Sequence, residues 1–537
     1  MKGPDLGQQP ARVAVFHGDD PASMSAERRG EQWSTADVTI GIAPARDGLA
    51  VSVRCPRQPI ARVALRWDHQ FPSTALYLGD AWERGYGDLQ WRHLQAERVM
   101  PWYFAAHDGA SGGTFAAGVK TQPAAMCFWT VDARGVTLWL DLRNGGSPGV
   151  PGDREIAAAT IVSASSASSD ESPMDVIRAL CRRMCDRPRL AAVPVAGNNN
   201  WYYAYGTNFD ADQVRRDAAL LADLAGDHAN RPYCVIDAGW SPGGGCPGGP
   251  WTHGRPDKFP DMPGLAADIN RLGVRPGIWM RPTALTVVDD PKRLRPGPQK
   301  SAEKALDLTL ADNLELIRAD VGRIRSWGYD LIKHDFSTWD ALGRWGFEMG
   351  AEITDGGWHF ADRSLTNAEI ILRLYRVLRE AAGDAILIGC NTIGHLAAGL
   401  FELQRTGDDT SGRQWERTRR MGVNTLAFRL PQHDTFFAAD ADCVAHTDAT
   451  PWEKDRQWLD LVARSGTALF VSVDPTKITP DVRSAMRRAM RLALDGGCRE
   501  VVPLDWMTNT CPQRWRFDGE TVEYDWSEPT GAWPLRI

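Results

Sequence analysis

From about residue 198 onward, eight short apolar runs alternate with long amphipathic segments, and this alternation restricts the fold more tightly than any other feature of the chain. The runs are NWYYAYG (200–206), PYCVIDAGW (232–240), RPGIWMRP (275–282), YDLIKHDF (329–336), AILIGC (385–390), LQRTGDD (403–409), TFFAAD (435–440) and ALFVSVD (468–474). Between them lie stretches such as ADQVRRDAALLADLAG (211–226), ADNLELIRADVGRIRSWG (311–328) and NAEIILRLYRVLREAAG (367–383). Their apolar residues recur at i, i+3, i+4 and i+7, the period of a helix that buries one face. Eight strand–helix repeats in about 250 residues fit a (β/α)8 TIM barrel. A doubly wound open sheet would need fewer strands and a glycine-rich first turn.

The chain before this region has a different period. Up to about residue 160 it carries short alternating runs, among them VTIGIA (38–43), LAVSVRC (49–55), ARVALRW (61–67), AMCFWTV (125–131) and VTLWLDL (136–142), separated by Gly, Pro, Asp and Asn clusters. Period-two alternation at that spacing predicts an antiparallel β-sandwich. The serine-rich stretch 163–172 reads as a linker, with Ser172 and Pro173 opening a helix over MDVIRALCRRMC. After the helix DVRSAMRRAMRLALDGG (481–497), the pieces WRFDG and TVEYDW return to strand character. The expected division is an N-terminal sandwich over 1–172, a catalytic barrel over 173–475, and a C-terminal helix plus small β domain over 476–537.

Composition removes several function classes. With 24% charged residues, 43% hydrophobic residues and a net charge of -7, the chain is neither disordered nor a polyanion binder, so no nucleic-acid partner is expected. No run approaches the roughly 18 apolar residues of a membrane span, and the opening MKGPDLGQQPARVAVFHGDD lacks a secretory apolar region. A cytoplasmic protein without a membrane partner is expected. None of the ten cysteines forms a C-x-x-C pair; Cys181 and Cys185, the closest two, share a helix face and read as buried thiols. The 22 tryptophans supply flat apolar faces, suited to the core and to stacking on sugar rings.

A barrel carries its active site at the carboxyl ends of its strands. That rule selects Asp237, Trp279, Arg281, Lys333, Asp335, Cys390, Arg405, Asp408 and Asp409. Lys333 and Asp335 lie two apart on one strand and face the same way, whereas His334 points outward to the helices. A cation beside a carboxylate keeps it ionised and nucleophilic. A second strand-end carboxylate with an Arg nearby completes the pair that glycosyl transfer requires. Each residue also has a structural reading: Asp335 as a helix cap, Arg405 with Asp409 as an internal ion pair, Trp279 as packing. Their common position at one end of successive strands is what favours chemistry. Two pattern matches carry nothing. Gly243, Gly245 and Gly248 spell a dinucleotide-like G-x-G-x-x-G, but Pro247 and Pro250 interrupt it, which counts against an NAD enzyme. Gly109–Gly113 matches G-x-S-x-G without a following helix and reads as a hairpin turn.

The string YDLIKHDF resembles the nucleophile strand of the clan D glycoside hydrolases, the α-galactosidase group, and family 36 most of all. RTGDDTSGRQW is similar to that family's acid/base segment. NWYYAYG, VIDAGW, WTHGRPDKFP, GIWMRP, ILIGC and HDTFFAADADC are further matches, in family order over about 199–443. The resemblance implies a retaining, exo-acting hydrolase with Asp335 as nucleophile and Asp409 as general acid/base. It also implies that Lys333, Asp237, Trp279, Cys390 and Arg405 line the subsite for the cleaved sugar. Asp408 is the rival of Asp409; on a strand only one of them would reach the pocket. An N-terminal-domain Trp helps close the family's pocket, in some members across a subunit boundary. Trp82 is the candidate here, and a homo-oligomer is compatible with it. The implied partner is a small glycoside or oligosaccharide, and no metal or organic cofactor is called for.

One departure stands out. The clan's galactosidases have two successive Asp residues before Gly-Trp, where this chain has Asp237 and Ala238. Losing one of these carboxylates removes a charge-assisted hydrogen bond to the sugar, worth about 1.5–3 kcal/mol. The loop after the nucleophile strand could supply substitutes in Glu348, Asp355 or Trp358. Otherwise the sugar is not plain α-galactose, and a β-L-arabinopyranoside or an α-N-acetylgalactosaminide is the alternative. A raffinose-synthase-like transglycosylase shares the first half-reaction, and a carbohydrate-binding protein without catalysis is the non-enzyme reading.

Overall fold

The computed structural model describes residues 1–18, 23–35 and 37–528; the last nine residues of the expected C-terminal β segment lie outside the described residues. Eight parallel strands close into a barrel. They are β1 (Ala196–Asn199), β2 (Tyr233–Ile236), β3 (Arg275–Met280), β4 (Leu331–His334), β5 (Ile386–Gly389), β6 (Leu403–Arg405), β7 (Ala438–His446) and β8 (Ala468–Val473). β8 pairs back onto β1, so no strand edge is left open. Val235, Leu331, Ile388, Leu403 and Phe470 fill the interior, which makes the barrel a packed core with its chemistry confined to the strand ends.

Two boundaries differ from expectation for local reasons. The first strand lies one step earlier than NWYYAYG. The Asn199 Oδ1 accepts from the Trp201 N–H at 3.0 Å, turning the chain, and Trp201–Ala204 forms a single helical turn. β6 stops at Arg405, so Asp408 and Asp409 stand on a loop.

The N-terminal region forms a six-stranded and an eight-stranded sheet. The strand Gly48–Cys55 alternates buried and half-exposed residues along its length, as a sandwich strand with one face on the core must. Gly109–Gly113 lies at the hairpin between Tyr103–Asp108 and Gly113–Val119. The long strand Gly152–Ser165 takes up the start of the expected serine linker. Ser172 then caps helix α1 (Pro173–Met184), accepting from the Asp175 N–H at 3.2 Å.

Helix α2 (Ala211–Ala225) follows β1, and helix α3 (Trp452–Arg464) follows β7. Helix α4 (Pro480–Leu494), the last among the described residues, packs against both, so the helical ring extends past residue 475. A three-stranded antiparallel sheet of Val501–Pro503, Arg514–Phe517 and Glu520–Glu523 closes the described chain. The stretch just past its last strand reaches the helical turn Trp415–Thr418, where the Trp415 indole N–H donates to the Trp526 carbonyl at 3.1 Å.

Candidate active site

The strand ends of the barrel converge on a cavity of about 260 Å³. That lies just below the ~300–1,000 Å³ typical of drug-sized ligand sites, so it suits one ring rather than a long chain. Asp237, Trp279, Lys333, Asp335, Asp408 and Asp409 line it.

Lys333 is the last inward-facing residue of β4, and its Nζ donates to Asp237 Oδ2 at 2.8 Å. The same oxygen accepts from the Asn199 amide at 2.5 Å. Burial disfavours a charged lysine here, but the Asp237 carboxylate prevails and holds the Lys333 pKa well above its ordinary value. Asp335, one step past β4, is fixed by three donors: the Trp279 indole N–H at 3.0 Å, the Phe336 N–H at 2.8 Å and the Asn391 N–H at 3.1 Å. Burial pushes its pKa up, and the charges of Arg84 and Lys333 outweigh that effect, so it is held below the usual carboxylate range. The next residue, Phe336, has φ 63, strain for a bulky side chain that sets the angle at which the chain leaves the strand. His334 turns away, its ring packed edge-on against Tyr375 and Phe401.

Across the cavity, Asp408 is gripped by two guanidinium groups, Arg84 at 2.7 Å and Arg417 at 2.7 Å. Asp409 is held more loosely, by Arg405 at 3.3 Å and Arg84 at 3.8 Å, and its side chain is the more exposed, 37% against 15%. Partial burial raises the Asp409 pKa, but Arg405, Arg84 and Lys333 together pull it down to about 2. The expectation that only one of these neighbours reaches the pocket is overturned, because strand alternation does not extend beyond Arg405. Behind them Asp442, at φ 68 in an irregularity of β7, accepts from Arg405 at 2.8 Å, from the Thr410 N–H at 2.7 Å and from the Tyr202 hydroxyl.

Several sequence-selected residues sit elsewhere. Cys390 and Arg405 are fully buried, one layer behind the cavity wall, with the thiol 3.4 Å from the Arg405 guanidinium. Arg281 is bound to Asp340 and stacks on Phe336. Trp82 does not reach the cavity. Its ring packs against Trp102 and Phe128 in the sandwich and its N–H donates to the Gly350 carbonyl, so core packing claims it. The suggested substitutes fail as well. Asp355 pairs with Lys300 and Arg344, Glu348 accepts from the Trp345 N–H, and the Trp358 ring lies under Arg295. Ala238 faces the cavity without a replacement carboxylate from that loop.

No protein-family model and no curated protein matches this sequence. Solved structures do match. The α-galactosidase of Thermus thermophilus, determined with p-nitrophenyl α-D-galactopyranoside, aligns over 91% of this chain and 97% of its own at 18% identity, with a TM-score of 0.60. The family 36 α-galactosidase AgaA of Geobacillus stearothermophilus aligns over 92% and 75% at 14% identity, TM-score 0.55. The galactosidase domain of an α-galactosidase–sucrose kinase aligns over 91% and 75% at 13% identity, TM-score 0.59. The fold is that of family 36 α-galactosidases.

Within this family 36 fold, the residue that sequence reasoning missed is Arg84. It reaches the barrel because the sandwich segment around it adds a rung to the loop after β6: the Gly85 N–H donates to the Thr406 carbonyl at 2.8 Å, and the Asp408 N–H to the Gly85 carbonyl at 2.9 Å. The available signal was the charged pair Glu83-Arg84 inside LGDAWERGYGDLQW, a segment otherwise rich in aromatics. Tyr86, Trp345, Phe347, Cys246 and Arg417 are further wall residues that strand-end reasoning could not reach, since all stand on loops or beyond the strands. Among the described residues, no group of three or more His, Cys, Asp or Glu is arranged to hold a metal ion, and no helix is long and apolar enough to cross a membrane.

Proposed function

We propose that the protein is a retaining, exo-acting glycoside hydrolase of α-galactosidase type. The observation that carries this reading is the pair Asp335 and Asp409, both lining one ring-sized cavity with Lys333 and Arg84 in its wall and Arg405 behind Asp409. Asp335 attacks the anomeric carbon as the bond to the leaving oxygen breaks, and that oxygen takes the proton of Asp409. The covalent glycosyl-enzyme is then opened by water, which gives its proton to the Asp409 carboxylate. Asp409 is assigned this role over Asp408 because Asp408 is locked between two guanidinium groups while Asp409 is looser and more exposed. Arg405, Arg84 and Lys333 favour the ionised form of Asp409, the form the second half-reaction needs.

Ala238 supports a second reading of the sugar. The cavity wall has Asp237 without a neighbouring carboxylate, so a pyranose lacking the hydroxymethyl group, a β-L-arabinopyranoside, loses less here than α-galactose does. The test is a panel of nitrophenyl glycosides with α-galactoside, β-L-arabinopyranoside and α-N-acetylgalactosaminide. The first-formed anomer is read by NMR, and product analysis with an acceptor sugar separates hydrolysis from transglycosylation. Asp335→Asn should lose about 10⁴-fold or more in kcat while its circular dichroism is unchanged. Near-normal turnover in that variant removes Asp335 from the nucleophile role.

A further inference from the structure

Phe347 is 63% exposed although it lines the cavity. A single exposed apolar side chain is ordinary, but this one is held on a rigid support. Its ring meets Tyr86 at 4.9 Å and 72°. The turn beneath it, Gly346–Glu348, is fastened from the sandwich: the Gly346 N–H donates to Glu83 Oε1 at 2.8 Å, and a Cβ on Gly346 would meet the Glu83 side chain at 2.6 Å. Next to it Trp345, stacked on Trp339 at 4.6 Å, contacts Phe336 at 5.6 Å. The Arg84 guanidinium lies over both Tyr86 and Trp345, at 5.8 and 5.6 Å, and joins the aromatic group beside the nucleophile to the pair that carries the exposed ring.

On this side of the cavity both oxygens of Asp408 are taken, one by Arg84 and the other by Arg417. Phe347 itself has no hydrogen-bonding group. A leaving group resting there finds a flat apolar face, fixed in advance and costing little ordering on binding, while the nearby Asp408 oxygens are engaged and do not accept from its hydroxyls. Resting on the hydrolase reading above, we propose that Phe347, with Tyr86, is the leaving-group platform and that it selects aryl glycosides over oligosaccharides. The ionised resting state of Asp409 agrees with this, because a phenolate departs with less help from an acid than a sugar alkoxide does.

The test measures kcat/KM of wild type, Phe347→Ala and Phe347→Tyr. The substrates are three donors of the glycone that the panel selects: the glycosyl fluoride, too small to touch the platform, the phenyl glycoside, and an oligosaccharide. Phe347→Ala should lower the ratio of phenyl glycoside to fluoride about tenfold, and Phe347→Tyr should restore it. An unchanged ratio in Phe347→Ala overturns the platform. An equal loss on the oligosaccharide overturns the aryl preference. If wild type turns over none of the donors, including the fluoride, the hydrolase reading itself fails and the platform fails with it.

Discussion

Replacing Arg84 with Gln tests the electrostatics on which the two carboxylates depend. The Arg84 guanidinium lies 3.8 Å from Asp409. At that separation a unit charge is worth about 1 kcal/mol at the dielectric of water and about 4 kcal/mol at an effective value of 20, which is roughly one to three pKa units. With 37% of the Asp409 side chain exposed, solvent screening selects the low end. Arg84→Gln should therefore raise the Asp409 pKa from about 2 by about one unit. Asp335 should move the same way, since after burial Arg84 is the leading influence on it. On the proposed roles the acid must be protonated, so kcat/KM for a poor leaving group should fall as pH rises through the Asp409 value. A nucleophile must be ionised, so it falls as pH drops through the Asp335 value. Both limbs of the profile should shift upward together in the variant. The assay is kcat/KM against pH for an alkyl glycoside, with a nitrophenyl glycoside as the control that needs little acid. An alkaline limb that stays in place, or moves down, refutes the reasoning. So does a limb that shifts equally for both substrates. Arg84→Lys keeps the charge and should return the limb, which a merely structural role for Arg84 would not require.

Other consequences are open to measurement. Asp409 has a folded pKa below its unfolded value of about 3.9, so its contribution to stability is present above that pH and is lost as pH falls toward about 2; acid titration of Arg84→Gln should show a narrower window. Asp442→Asn leaves the fully buried Arg405 without its 2.8 Å carboxylate partner and should cost about 3–5 kcal/mol in urea denaturation, with kcat reduced as Arg405 and the Thr410 backbone beside Asp409 lose that fixed point. His334 is fully buried, neither ring nitrogen has a partner, and burial pushes its pKa down to about 3. Folding therefore excludes a proton that the unfolded chain binds below pH ~6.5, and stability falls between there and pH ~3. His334→Leu should flatten that fall and match or exceed wild-type stability at neutral pH.

What could be read from the chain, and what could not, divides along strand ends. Lys333 and Asp335 share a strand parity, so their common direction followed from the period alone, as did the outward turn of His334. The same rule misjudged Asp408 and Asp409 because β6 ends at Arg405, three residues before the first of them. A strand terminus is set by where its neighbours stop pairing, which is a property of β5 and β7 rather than of LQRTGDD. Trp82 and Arg84 show the other limit. They are two residues apart, and only the docking of sandwich on barrel decides which enters the core and which the cavity. The acids of the loop after β4 looked available because their partners, Lys300, Arg344 and the Trp345 backbone, are invisible to local pattern.

The sandwich is therefore part of the site and not an accessory to it. A barrel with both carboxylates would still have a loop after β6 whose backbone lacks a strand partner on one side, and Gly85 supplies that rung. The same segment reaches the opposite carboxylate. Glu83 accepts from the Asn391 amide, and the Asn391 N–H donates to Asp335. Glu83 also holds the turn that carries Phe347. Arg429 anchors the segment in return, through Asp80 at 2.8 Å and the Glu83 carbonyl. One sandwich loop thus reaches Asp409 directly through Arg84, Asp335 through Asn391, and the mouth of the cavity through the turn under Phe347. Its residues are tied by buried ion pairs whose rupture leaves uncompensated charge, at a cost of several kcal/mol each. The positions of Asp335 and Asp409 relative to one another are for this reason a property of the contact between sandwich and barrel, and a change at that contact should alter the proposed chemistry without touching a strand end.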